Sequence, residues 1–361
     1  MKRHWQIILV ALLWCSSTAV CLEPGPRDLF VRVIDTGPAE CCVVVIPAAQ
    51  PEGTPSYLIY DAGNYVDGGK LAIQKIQELI QPGSEVALMV LSHTDSDHLG
   101  AVPQICHDYK VRRIIWAGYK RTTSVWADAE KAIKEEVATD GCQEINLSKA
   151  CLQEGKVYSI GEAKVQLVCG FCQPPKDWGK MTPAMQMNAG SIVIRVIYKG
   201  KAILFCGDDV GRKEDDTPNA PPIATEKYML ANRDTINIAA NVMIAPHHGA
   251  DNASSTAFIT AVHPEYVIFS AGHMPTFCHP RATTAQRYLD CGVKLQNMFR
   301  TDLGDDDGEK EWSFGRIPGH HDPAGDDDVD IAINPEGKVQ VEYRSEQNQK
   351  YHDKISKAST N

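Results

Sequence analysis

Leu91-Ser-His-Thr-Asp-Ser-Asp-His-Leu-Gly100 packs four metal-ligand side chains, His93, Asp95, Asp97 and His98, into six residues. The run just before it, Val86 to Leu91, is apolar and reads as a buried strand. The four polar groups therefore sit on a loop at the end of a rigid element. Imidazole and carboxylate are ligands for divalent metals such as zinc and manganese. A solvated polar loop does not account for four such groups straight after a buried strand, so the stretch reads as an active-site loop.

The same placement recurs along the chain. Asp61 follows the strand Tyr57–Tyr60, and Asp208 follows Ala202–Cys206 as Cys-Gly-Asp-Asp. His247 and His248 follow Asn241–Ala245, and His279 comes after the strand Tyr266–Ser270. One aspartate at a strand end is more often a turn or a cap than a ligand. Adjacent histidines are more often solvated than metal-bound. The joint occurrence at successive strand ends is what points to one site.

Around these sites strands and helices mix. Leu29 to Ile34, Cys42 to Ile46 and Tyr57 to Tyr60 read as strands, and Arg112 to Trp116 as another. Leu71, Ile76, Leu79 and Ile80 share one helix face; Leu99 to Tyr109 and Val125 to Val137 read as further helices. The chain then turns β-rich, with hairpins around Gly161-Glu162 and Lys199-Gly200-Lys201, a helix over Thr283 to Cys291, and a last hairpin around Asn334-Pro-Glu-Gly. This predicts a sandwich of two mixed sheets with helices outside. No internal linker divides the chain, and there is no Walker loop and no GxGxxG.

The 361 residues suffice for a large core, and 43% of them are hydrophobic. A net charge of -10 argues against a passive nucleic-acid binder, which is normally basic. It does not exclude an enzyme that holds phosphate through metal ions. Lys2, Arg3 and His4, then the apolar Ile7 to Trp14 and the small residues Ser16 to Ala19, read as an export signal over residues 1–21. The apolar run is too short to span a membrane. Retention as an anchor and lipid modification of Cys21 are the alternatives. An exported, periplasmic or cell-surface protein could pair several of its twelve cysteines. Cys169-Gly-Phe-Cys172 reads as structural. Asp305–Asp307 and Asp326–Asp328 lack EF-hand spacing and read as solvated acidic loops. A hydrolase domain is expected over 28–345, with 346–361 a tail without structure.

His93-x-Asp95-x-Asp97-His98 resembles the His-x-His-x-Asp-His signature of the metallo-β-lactamase fold, in the variant of the hydrolase domain of ComEC-type competence proteins. The likeness runs in family order from about residue 28 to 304. Phe30 to Gly37 resembles the opening strand and turn, Asp61-Ala-Gly63 the Asp-x-Gly, and Asn188-Ala-Gly-Ser191 the Asn-x-x-Ser segment. Phe205-Cys-Gly-Asp208 resembles the Thr-Gly-Asp; Pro246-His-His-Gly249 with Ser254-Ser255, and His279-Pro280 with Arg300-Thr301, resemble the closing segments. The resemblance implies an α/β, metallo-β-lactamase-like αββα sandwich. The chain departs from it in three ways. Pro38-Ala-Glu40 stands where many relatives have Gln-Gly-Asp, and no channel segment is found. No His lies between His107 and His247, so the usual third His of one metal site is missing and Asn188 falls in its region.

By this resemblance Asp97, His98, Asp208 and one of His247 and His248 hold one ion, and His93, Asp95 and bridging Asp208 hold a second. Zinc is the first expectation and manganese the alternative. Asp61 is expected to orient a ligand imidazole. Asn188, Ser191 and His279 are expected at the substrate, with Asp97, His279 and Asp61 serving catalysis. The first functional expectation is an exported metal-dependent hydrolase of phosphodiesters, with nucleic acid among the candidate substrates. Phosphocholine or acyl esters are the alternative within the enzymes. A non-catalytic metal-binding or surface-binding protein is the alternative outside them.

Overall fold

The computed structural model describes residues 22, 24–317 and 324–358. The expected export signal over residues 1–21 lies outside them. The chain opens as an antiparallel meander of β1 (Leu29–Val33), β2 (Cys42–Ile46) and β3 (Ser56–Tyr60), with Val33 opposite Cys42 and Cys42 opposite Tyr60. It continues in parallel through α1 (Lys70–Gln77), β4 (Glu85–Val86), β5 (Leu88–Leu91), α2 (Val102–Asp108), β6 (Lys110–Val111), β7 (Arg113–Trp116), α3 (Ser124–Thr139) and β8 (Gln143–Asn146). Parallel neighbours need crossovers, and here helices supply them on one face.

The second sheet starts with antiparallel β9 (Val157–Ile160), β10 (Ala163–Cys169), β11 (Val193–Tyr198) and β12 (Lys201–Phe205), with α4 (Pro183–Asn188) between β10 and β11. It turns parallel through α5 (Ala224–Ala231), β13 (Val242–Ile244), α6 (Thr256–Val262), β14 (Tyr266–Phe269), α7 (Ala282–Asp290) and β15 (Met298–Arg300). The chain then returns to the first sheet as β16 (Val329–Ile333) and β17 (Val339–Tyr343), and ends in α8 (Glu346–Ala358). The eight-stranded sheet has the order β17-β16-β1-β2-β3-β5-β7-β8, the seven-stranded one β15-β14-β13-β12-β11-β10-β9. A short ribbon, β4-β6, stands apart.

Strand alternation makes four layers of these sheets. Leu88 and Val90 of β5 join Val31, Leu58, Val165, Ile194, Phe205 and Ile244 in the core between the sheets. Their neighbours Met89 and Leu91 face the other way, onto Ile76, Ile105, Trp126 and Ile133 of the first helical layer. Leu204, Met243 and Val267 likewise meet Met229, Phe258 and Tyr288 of the second. Such strands are buried on both faces and read as continuous apolar runs. The expected αββα sandwich is the fold.

Several expectations change. The strand expected over Val86–Leu91 breaks at Ala87, whose N–H turns to the Tyr57 carbonyl, so Val86 pairs with β6 and Leu88 onward with β3 and β7. The tail expected to be unstructured from residue 346 is α8. Its inward face is Asn348, His352 and Ser356, buried at four-residue spacing, so no apolar stripe announces the helix. His352 stacks on Phe299, with ring centroids 4.5 Å apart. The acidic runs are not solvated loops either: Asp305, Asp307, Asp327 and Asp328 are buried. Asp327 accepts the Leu303 N–H, and Asp328 accepts the Asp35 N–H and pairs with Lys75. The ten cysteines from Cys41 to Cys291 are free thiols, so no pairing expected of an exported chain is formed among them. No helix among the described residues is long and apolar enough to cross a membrane.

Candidate metal centre

The ends of β3 and β5 meet those of β12, β13 and β14 at one edge of the sandwich. The motif loop is zipped to the Asp61 loop by backbone bonds, Ala62 N–H to His98 O and Gly100 N–H to Gly63 O. Gly100 is required there, because a Cβ would lie 1.9 Å from the Asn64 carbonyl oxygen. Asp61 is fully buried beneath the loop. One of its oxygens accepts the Ser92 N–H at 2.7 Å; the other accepts the Ser92 hydroxyl and His98 Nδ1, each at 2.7 Å.

This carboxylate fixes two tautomers. His98 donates through Nδ1, so its Nε2 presents a lone pair. The Ser92 hydroxyl, having given its proton to Asp61, accepts from His93 Nδ1 at 2.9 Å, which leaves His93 Nε2 unprotonated too. On the opposite side His248 Nδ1 donates to the Ser270 carbonyl at 2.6 Å, and His247 Nδ1 to Asn252 Oδ1 at 2.7 Å. All four imidazoles are tied back through Nδ1 and turn Nε2 toward Asp208.

Asp208 sits between the pairs. Its Oδ1 is 3.4 Å from His98 Nε2 and 3.5 Å from His248 Nε2. Its Oδ2 is 3.6 Å from His93 Nε2 and 3.4 Å from His247 Nε2. Asp97 Oδ2 closes the first group, 3.9 Å from His98 Nε2 and 3.7 Å from His248 Nε2. Asp95 Oδ2 lies 3.8 Å from His93 Nε2, while its Oδ1 pairs with Arg121 at 3.1 Å. A tetrahedral ion with bonds near 2.0–2.1 Å sets its ligand atoms about 3.4 Å apart. The first group is close to that spacing. The Nε2 atoms of His93, His98 and His248 and Asp208 Oδ1 are buried and make no hydrogen bond. Native interiors rarely leave so many buried polar atoms unpaired, unless something else binds them. The residues fit divalent metal.

The charges agree. Burial alone would neutralise these groups. Against it, His98 and His248 draw the Asp97 carboxyl down to about 2, and four imidazoles hold Asp208 well below the carboxylate range. Asp208 and Asp97 in turn raise His248 to about 9 despite its burial. Burial, with His98 near, instead pushes His93 down to about 4.

Two dihedral strains build the histidine pair. His247 (φ 51°, ψ 49°) and His248 (φ 54°, ψ 16°) are consecutive left-handed residues without being glycines. Each costs on the order of 1 kcal/mol. The turn sends the two rings to different oxygens of Asp208, which an extended pair would not do.

A cavity of about 630 Å³ opens over the centre, lined by Asp95, Asp97, Asp208, His247 and His248, by Ala184, Met185 and Asn188 of α4, and by Met274, Phe277 and His279. The seven residues expected to hold metal converge, and Asn188 and His279 face the same space. Ser191 does not. It is fully buried, and its hydroxyl accepts the Asp208 N–H at 3.1 Å, so it positions Asp208 from behind rather than meeting substrate. Sequence reasoning missed Asn252, Arg121 and Glu40. Glu40 is buried against Asp61 and His98 and raised to about 8, by burial first and then by Asp61.

No family model matches the chain. It is 31% identical over 129 residues to competence protein ComA of Neisseria gonorrhoeae, covering 36% of this chain and 16% of that protein. It is 21% identical over 214 residues to ComE operon protein 3 of Bacillus subtilis, covering 59% of this chain and 23% of that protein. The chain is ComEC-like, with a metallo-β-lactamase fold. These matches span less than a quarter of either competence protein. Among solved structures, this ComEC-like chain is similar to zinc-bound PqqB of Methylobacterium extorquens (10% identity, 75% of this chain and 97% of that one, TM-score 0.43). It is also similar to the diiron β-hydroxylase CmlA of Streptomyces venezuelae (11% identity, 78% and 54%, TM-score 0.44).

Proposed function

We propose that this ComEC-like chain is an exported metal-dependent hydrolase of phosphodiesters. The observation that carries it is the set of four imidazoles anchored through Nδ1, whose Nε2 atoms meet both oxygens of one carboxylate. Asp97, His98, His248 and Asp208 would hold one ion, and His93, Asp95 and the other oxygen of Asp208 a second, with zinc the first candidate and manganese the alternative. Divalent ions in such a pair lower the pKa of water and neutralise phosphoryl oxygens.

The chain's own groups do the rest. Asp61 keeps His98 and, through Ser92, His93 in the ligand tautomer. Asn188, whose Nδ2 lies 3.2 Å from His247 Nε2, and His279, whose ring lies edge-on to that of His247, both line the cavity, where the second amide proton and an imidazole N–H can hold phosphoryl oxygens. In hydrolysis the water oxygen bonds to phosphorus, the ester P–O bond breaks, and the leaving oxygen takes a proton. His279, which lines the cavity, would pass that proton on. The competence relatives favour a nucleotide substrate, and the basic start and short apolar core of residues 1–21 favour export.

The test is a hydrolysis panel with metal-loaded protein: DNA, RNA, a bis-aryl phosphodiester, a phosphocholine ester and a lactam. Turnover of the phosphodiesters is expected. Turnover of phosphocholine or acyl esters alone would move the substrate class, and full metal content with no turnover of any ester would support a binding protein.

A further inference from the structure

The cavity carries a feature that holding metal does not require. Phe277 lies on the segment between β14 and α7 with 53% of its surface exposed. Its ring is nearly parallel to that of His279, with centroids 5.7 Å apart and planes 12° apart. His279 is stacked in turn with His248, at 6.4 Å and 19°. Three flat rings thus step outward from the metal centre to solvent. Met274, also exposed, accepts the Phe277 N–H through its carbonyl and lines the same cavity, as do Ala184 and Met185 of α4. A second cavity of about 400 Å³ adjoins the first, and both are lined by Phe277, His279 and His247. An isolated exposed phenylalanine is unremarkable on a protein surface. One set nearly parallel to His279, where two cavities adjoin, has an exposed face open to a further flat ring.

Resting on the phosphodiester reading, we propose that Phe277 is the platform on which the base of a nucleotide phosphodiester stacks, so that the site selects nucleoside-bearing esters over alkyl ones. Every base has a π-face, so such a platform tolerates any sequence. The two cavities are each in the size range of small-ligand sites. The second cavity is lined by acidic Glu214, Asp215, Asp251 and Glu309 against two cations, Arg281 and Lys310, so it offers no continuous basic track. With a net charge of -10, the chain lacks the basic balance that tracks a long backbone. The favoured substrate is therefore a short nucleotide diester.

The experiment measures binding by calorimetry on the full, manganese-loaded chain, for wild type, Phe277→Ala and Phe277→Trp. The probes are thymidine 5′-phosphate, methyl phosphate and phosphocholine. Wild type should bind the nucleotide most tightly. Phe277→Ala should weaken nucleotide binding about ten-fold more than methyl phosphate binding, and Phe277→Trp should restore it. Equal weakening of all probes would mean that Phe277 only props His279 and would overturn the proposal. So would tightest binding of phosphocholine, no change in Phe277→Ala, or no nucleotide binding by wild type. Hydrolysis of thymidine 5′-nitrophenyl phosphate is scored separately. Nucleotide binding that follows Phe277 without any hydrolysis would sink the hydrolase reading and leave the platform standing.

Discussion

Asp61 meets no cavity, yet two of the four imidazoles take their tautomer from it. It accepts directly from His98 and, through the Ser92 hydroxyl, sets the direction of the bond from His93. An amide at this position can accept only through its one oxygen, and its NH₂ would confront either the Ser92 or the His98 proton. Asp61→Asn should therefore lower metal affinity about 10–100-fold while the fold survives. Titration against a chromogenic chelator, with circular dichroism as the control, measures it. Unchanged affinity would remove Asp61 from the support of the site. At this scale the sequence was legible where ligands are consecutive or follow a strand, as in His93 to His98. Asn252 and Arg121 carry no local signal, and Glu40 reads in the sequence only as a departure from Gln-Gly-Asp. Arg121 reaches Asp95 from the segment after β7, and Glu40 reaches Asp61 from the turn between β1 and β2, contacts that only the fold creates.

Among the elements, the return of β16 to the edge of β1 depends on a buried fork. Arg32 of β1 meets Asp330 of β16, directly opposite in register, through two bonds of 2.7 and 2.8 Å. Removing one member of a buried pair leaves the other uncompensated, at a cost of about 3–5 kcal/mol. Arg32→Met should destabilise the chain by that order in denaturant titration, and Arg32→Met with Asp330→Leu should regain most of it. The pH dependence has a definite sign. Burial raises the Asp330 carboxyl from 3.8 to about 6 even with Arg32 opposing it. A group whose folded pKa is raised stabilises the fold when protonated and loses that contribution as pH rises from about 4 through 6. Without Arg32 the window reaches higher, so the variant's defect should be larger at pH 8 than at pH 5. A defect independent of pH would show that the lost fork is not an electrostatic one. The element scale is also where the sequence was least legible. The polar strand β8 and the polar inward face of α8 lack the apolar periodicity that marks β1 or α3, because hydrogen bonds and ring stacking hold them in place.

For the whole molecule, the two sheets share one apolar core, and the alternation of Leu88, Met89, Val90 and Leu91 between that core and the helices made the layers legible. The way the sheets meet at the site was not legible in the same way. His93, Asp95, Asp97 and His98 belong to the first sheet, and Asp208, His247 and His248 to loops of the second. An ion held by Asp97, His98, His248 and Asp208 would therefore bridge the halves of the sandwich. Any such ligand stabilises the folded state by mass action, about 2.7 kcal/mol at a free concentration one hundred times its Kd. For a chain of this length that corresponds to a Tm higher by about 4 °C. Chelation should lower the wild-type Tm by this amount, and added zinc or manganese should restore it. Asp208→Ala removes the carboxylate that both ion positions share, so its Tm should be insensitive to chelator and its metal content should fall at both positions. A Tm that responds to chelator equally in wild type and Asp208→Ala would place the metal away from the seam between the sheets.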